Sequence, residues 1–136
     1  MIVIDASATL ALLLNEDNAL AAAEAFTTLT EQTVVAPNHW SAEVGNALVI
    51  NVRRGRLDPR QIRYMLDRLS TLGIQLEPSP SFADIASIAD RATALNLTYY
   101  DAAYVHSAQS HQASLFTFDR GMREAANRLK IPLLPQ

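Results

Sequence analysis

Asp5, Glu43, Asp101 and Asp119 each interrupt an otherwise apolar stretch, reading M-I-V-I-D-A-S, S-A-E-V-G-N-A-L, L-T-Y-Y-D-A-A-Y-V and L-F-T-F-D-R-G. An unpaired carboxylate is costly to bury, so four such placements point to a carboxylate site. Most of the other acids stand in polar runs such as N-E-D-N or beside arginines. The gaps between the four are 38, 58 and 18 residues, so no local motif joins them and only a fold can bring them together. Once within a few ångströms they would repel one another and raise one another's pKa values unless a cation sat among them. Mg²⁺ or Mn²⁺, hard ions that take oxygen ligands, would suit such a set. A centre of that kind can activate water and stabilise both oxygens of an in-line displacement at phosphorus.

The elements that must position these acids follow from hydropathy and capping signals. Ile2, Val3 and Ile4 form a β-branched strand ending at Asp5, and Ser7 offers an N-cap for a helix carrying Leu10, Leu13 and Leu14. After a polar break at Asn15 to Asn18, Ala19 to Leu29 is strongly helix-prone, and Thr33 to Ala36 reads as a second strand. Pro37-Asn38 opens a helix with Val44, Ala47, Leu48 and Val52 on one face and Glu43 in its early turns; Gly55 ends it. Asp58-Pro59 begins a fourth helix, striped by Ile62, Leu66, Leu69 and Leu72 and closed by Gly73. Ile74 and Leu76 make a short strand. Ser81 caps a fifth helix with Ile85, Ile88, Ala89, Ala92 and Leu95 facing inward, and Thr98 caps a sixth. Ser114 to Phe118 is a strand ending in Asp119, followed by a short helix over Met122 to Leu129 and a last apolar run, Ile131 to Leu134.

Strands alternating with helices predict a three-layer α/β/α sandwich around a mainly parallel sheet, with residues 1–136 as a single domain. Ligands of such sheets bind outside the carboxyl ends of the strands, where Asp5 and Asp119 are expected. A chain of this length can bury roughly two-thirds of its unfolded surface without covalent staples. It has no cysteine, which removes disulfides, thiolate nucleophiles and cysteine-ligated zinc from consideration. The net charge of −3 excludes a strongly basic nucleic-acid coat protein. Yet Arg53, Arg54, Arg56, Arg60, Arg63 and Arg68 face only Asp58 and Asp67, a local +4 that leaves −7 elsewhere. No basic leader and no apolar run of about 20 residues is present, so a soluble, cytoplasmic protein with no membrane association is expected.

Taken together, the four acidic motifs resemble the PIN-domain ribonucleases, in particular the VapC toxins of prokaryotic toxin–antitoxin pairs. The likeness covers essentially the whole chain in motif order and length; each motif alone is weak. It implies a PIN fold, Mg²⁺-dependent endoribonuclease activity on an RNA substrate, and neutralisation by a cognate VapB-type antitoxin. It also implies a homodimer. Carried over by position, Asp5, Glu43, Asp101 and Asp119 form the acidic quartet, with Asp5, Asp101 and Asp119 as metal ligands and Glu43 ligating or activating water. Ser7 and Thr117 resemble the hydroxyls the family places beside the first and last acids.

Each residue also has a plainer role open to it. Asp5 could begin an Asx turn. Asp101 stands three residues after Thr98, as in a capping box, and Glu43 would be favoured near a helix N-terminus in any case. The arginine cluster is either a solvated face or a guide for RNA phosphates. His39, His106 and His111 lack zinc spacing and read as structural or surface residues. Trp40, Tyr99, Tyr100, Tyr104, Phe116 and Phe118 read as core or interface rather than base-stacking platforms. Two other functions compete. One is a catalytically silent module binding RNA or protein. The other is a degraded phosphatase or receiver built on Asp5, which lacks the second acid such motifs need where Ser7 stands.

Overall fold

Five short strands, β1 (Ile2–Ile4), β2 (Val34–Ala36), β3 (Gln75–Leu76), β4 (Ser114–Phe116) and β5 (Leu133–Leu134), form one sheet in the computed structural model, which describes residues 1–14 and 19–136. Their order is β3-β2-β1-β4-β5 and every pairing is parallel. Buried on both faces, the central strands need no polar alternation, and Ile2, Val3, Ile4, Leu115 and Phe116 are all at 0% exposure. The expected polar break at Asn15 to Asn18 lies outside the described residues.

The chain moves one way from β1 to β2 to β3 and the other way from β4 to β5. With right-handed crossovers, α1 (Ala6–Leu14), α2 (Ala19–Thr30), α3 (Trp40–Arg53) and α4 (Gln61–Ser70) cover one face. The other face takes α5 (Phe82–Leu95), α6 (Tyr99–Ser110) and α7 (Arg120–Arg128). The packing agrees, since α1 touches α2 and α3 while α6 touches α5 and α7. This is the three-layer α/β/α architecture expected from sequence. The direction of winding reverses between β1 and β4, which opens a crevice at their carboxyl ends.

Several local expectations shift. Helix α1 begins at Ala6, so Ser7 lies inside it, and Asp5 is the residue that caps it by accepting the Ala8 N–H at 2.8 Å. Helix α4 starts at Gln61, because Asp58 and Pro59 form a preceding turn in which Asp58 accepts the Arg60 N–H. Strand β4 stops at Phe116, so Asp119 ends no strand and instead caps α7. On α5 only Ile88 and Ala92 are buried, in a small cluster with Ala102 and Ala103 of α6, and Leu95 is partly buried against the main core; Ile85 and Ala89 are exposed because α6 covers only part of the stripe.

Arg123 ties the last strand to the crevice. Its guanidinium donates to the Thr117 carbonyl at 2.9 Å and to the Pro135 carbonyl at 2.9 Å. Arg123→Ala is expected to cost about 2 kcal/mol, the worth of charge-assisted bonds at a half-buried position, seen as a lower urea midpoint with unchanged slope.

Candidate active site

Asp5 follows β1, and its N–H continues the ladder by donating to the Phe116 carbonyl at 3.1 Å. The residue is 1% exposed, and its carboxylate is fully dressed. Ser7 Oγ donates from 2.8 Å to both oxygens, the Ala8 N–H reaches Oδ1, and Thr117 Oγ1 donates to Oδ2 at 2.5 Å. Burial pushes its carboxyl from 3.8 up to about 6 despite those three donors, and the charge of Asp119 adds to the rise.

Thr117 also accepts the Asp119 N–H at 3.0 Å, so one buried hydroxyl joins the first and last acids, 114 residues apart in sequence. The Asp119 carboxylate accepts the Met122 N–H at 2.8 Å. Ser7 closes the loop from the other side by accepting the Phe118 N–H at 3.0 Å. Gly121 leaves room for this arrangement, since a Cβ there would stand 3.3 Å from Asp119 Oδ1.

Asp101 is the third residue of α6 and half-buried. Thr98 accepts its N–H at 3.1 Å. The reciprocal bond that completes a capping box is formed at Ser81 and Asp84 of α5, not here. The Asp101 carboxylate therefore meets the cap only through the Thr98 hydroxyl. Burial pushes it above the ordinary aspartate range, and the charges of Asp119 and Glu43 push it further, against the Thr98 hydroxyl and His39.

Glu43, on the first turn of α3, comes from the opposite helical layer and meets α6 over the strand ends. Tyr104 donates to its Oε1 at 2.8 Å, and His39 Nε2 stands 3.1 Å from the same oxygen without a directed hydrogen bond. Burial would raise the Glu43 carboxyl, but His39 and Tyr104 outweigh it and hold the group below the usual glutamate range. Burial and the Glu43 charge in turn push the Tyr104 phenol far above its usual range, which fixes it as a donor.

The four acids thus feel one another: Asp5 with Asp119, Asp119 with Asp101, and Asp101 with Glu43. Tyr104 and His39 went unrecognised as partners of the quartet in the sequence. The available signal was spacing, since His39 lies one helical turn before Glu43 and Tyr104 one turn after Asp101. The six arginines between Arg53 and Arg68 are all exposed, and among the described residues only Arg60 is ion-paired, with Asp58 at 2.7 Å.

The donor set is all carboxylate, hard oxygen chemistry suited to Mg²⁺ or Mn²⁺, and its mutual repulsion is what a cation would relieve. Among the described residues, however, no three acidic or histidine side chains stand close enough together to enclose an ion. The hydroxyls around Asp5 and the helix cap at Asp119 hold those two carboxylates in their present directions.

The comparisons place this parallel α/β/α sandwich in a family. The PIN domain model matches residues 2–128, and the chain belongs to the PIN domain family. PIN domains are generally nucleases, which sets the coarse class as a hydrolase acting on nucleic acid. No curated protein matches the chain. Among solved structures it is similar to PAE2754 from Pyrobaculum aerophilum, at 27% identity and a TM-score of 0.70, covering 91% of this chain and 84% of that one. It is also similar in fold to FitAcB from Neisseria gonorrhoeae, at 20% identity and a TM-score of 0.67, covering 98% of this chain and 96% of that one. Among the described residues no helix is long and apolar enough to cross a membrane.

Proposed function

We propose that the chain is a Mg²⁺-dependent endoribonuclease of the VapC type, the toxic member of a type II toxin–antitoxin pair, formed by residues 1–136 as one PIN domain. Asp5, Asp101 and Asp119 are the metal ligands, Mn²⁺ can replace Mg²⁺, and Glu43 completes the catalytic quartet. The observation that carries this reading is the Thr117 bridge, which fixes Asp5 beside Asp119 in the crevice where such sheets bind ligands. When bound, the cation supplies charge neutralisation at the phosphate and acidifies water.

The chain's own residues do the rest. Ser7 and Thr117 hold the Asp5 carboxylate in one orientation. Glu43, ionised at neutral pH and steadied by Tyr104, is the group able to accept a proton from the attacking water. Tyr104→Phe is expected to lower the cleavage rate about tenfold with a stability loss of only about 1 kcal/mol, since one hydrogen bond goes and no volume is lost. Single-turnover kinetics beside thermal melts will separate the two.

A VapB-type antitoxin and a second copy of the chain are the partners this assignment entails, and the exposed Leu20, Tyr64, Leu66 and Phe82 offer apolar surface for them. A cytoplasmic location fits the same assignment. The spacing of the acids, which encloses no ion, favours one rival, a PIN module that binds RNA without cutting it. Purified protein incubated with single-stranded RNA and Mg²⁺ or Mn²⁺ decides between them: metal-dependent internal cleavage supports the nuclease, and binding without cleavage supports the module.

A further inference from the structure

Beside the acids, on the β2–β3 side, lies a cavity of about 280 Å³ that none of the four acids lines. The turns after β2 and β3 and the facing sides of α5 and α6 enclose it. It shares a wall with the crevice, because His39 lines the cavity while its Nε2 stands 3.1 Å from Glu43. Its volume is near the lower limit for small-molecule sites, room for one planar heterocycle rather than a strand of polymer.

The lining is specific. His39, Tyr100 and Tyr99 give a chain of three conjugated rings, with centroids 5.5 Å apart for His39 and Tyr100 and 6.2 Å for the two tyrosines. Ile88 and Ala103 supply buried apolar surface, and Pro37, Pro78 and Pro80 stiffen the rim. No lysine or arginine lines the cavity, so it is not built for phosphate. Glu77 is, however, a placed acceptor. The buried Ser107 hydroxyl donates to its Oε1 and His111 Nε2 stands 3.4 Å from the same oxygen, which leaves Oε2 available.

Resting on the RNA-cleaving reading of the adjacent acids, we infer that this cavity receives one unstacked base of the RNA next to the cleaved bond and prefers a base carrying an exocyclic amino group. Tyr100 and His39 stack on the base, and Glu77 accepts its amino hydrogens. Single-stranded RNA is recognised by this combination of aromatic stacking and edge hydrogen bonds. A carboxylate selects amino groups, as acids do with cytosine N4, and it repels the two carbonyls of uracil. A cavity lined by aromatic rings, next to acids that would meet the phosphate, fits a base better than the side chain of a docking peptide.

The test is binding by the whole protein in chelator, read by fluorescence anisotropy, with short oligouridines carrying one adenosine, cytidine or guanosine. One amino-bearing base is expected to tighten binding about tenfold over uridine alone. Tyr100→Ala, at an exposed position, is expected to abolish that gain and to weaken uridine binding as well, while a thermal melt at the wild-type midpoint shows that the fold is intact. Glu77→Gln levels the preference, because an amide presents donors to the uracil carbonyls beside an acceptor for amino hydrogens, and retained uridine binding shows that the fold is intact. Equal affinity for all four bases, a preference that survives both variants, or displacement by an arginine peptide irrespective of the base would overturn the inference. Base-selective binding without any cleavage in Mn²⁺ would sink the nuclease reading and keep the pocket. Cleavage at positions unaffected by both variants would do the reverse.

Discussion

Asp5→Asn is expected to abolish most RNA cleavage, by about 10²- to 10³-fold, while making the metal-free protein more stable at pH 7.5. The two effects have one origin. Burial raises the Asp5 carboxyl from 3.8 to about 6, so between those values the folded chain holds a proton that the unfolded chain has released. Unfolding there releases a proton, and stability from this group falls as pH rises from about 4 to about 6, then stays level. At 1.36 kcal/mol per unit the loss is about 3 kcal/mol. Asparagine carries no such charge, can still accept the Ala8 N–H, and presents donors that the Ser7 and Thr117 hydroxyls can accept. Thermal melts at pH 4.5 and 7.5 should show wild type losing stability relative to the variant across that interval. Mg²⁺ or Mn²⁺ should raise the wild-type midpoint more at pH 7.5 than at pH 5, where protons compete for Asp5, and should barely move the variant. Full metal-dependent cleavage by Asp5→Asn would remove Asp5 from the proposed chemistry.

Thr117→Val should be nearly as damaging, although Thr117 carries no charge and is 0% exposed. Valine keeps the shape but deletes the hydroxyl that donates to Asp5 and accepts from Asp119. The Asp119 N–H is then left without its acceptor, a cost of about 1–3 kcal/mol. The Asp5 carboxyl loses the strongest of the bonds that oppose its upward shift, so its pKa climbs above about 6. Activity should fall about 10- to 100-fold, as when a ligand's supporting partner is removed. The acidic limb of the pH–rate profile should move to higher pH in Thr117→Val and stay in place in Thr117→Ser, which restores the hydroxyl. A valine variant with the wild-type profile would show that the bridge does not tune Asp5.

How much of this could be read from sequence depended on whether the signal was local. The strand before Asp5 was legible because a β-branched run ending in an acid has few other meanings, and the Ser81 cap with Asp84 three residues later formed as capping chemistry dictates. The cap of α1 was misassigned, since Ser7 and Asp5 are both good caps and only the strand's exit direction selects Asp5. The inward face of α5 was overestimated because apolar spacing reveals a stripe but not how much of it a single neighbour can cover. Tyr104 stayed hidden because its partner Glu43 lies in another layer, 61 residues away, and His39 because an i,i+4 pair with Glu43 reads like any helix-surface pair. The cavity walled by Tyr99 and Tyr100 was obscured likewise, as an aromatic in the core and one in a pocket look alike along the chain.

The parallel order that seats β1 at the centre also sets a schedule. Residues 2–4 are made first, yet their β4 partner is residues 114–116, and Thr117 and Asp119 follow still later. At about 5–20 residues per second, a ribosome needs roughly 6–23 seconds between Asp5 and Asp119. Throughout that interval β1 can pair with β2 but lacks its β4 neighbour, and the set of acids is incomplete. If the chain is the nuclease proposed above, its chemistry cannot assemble before Asp119 has been made.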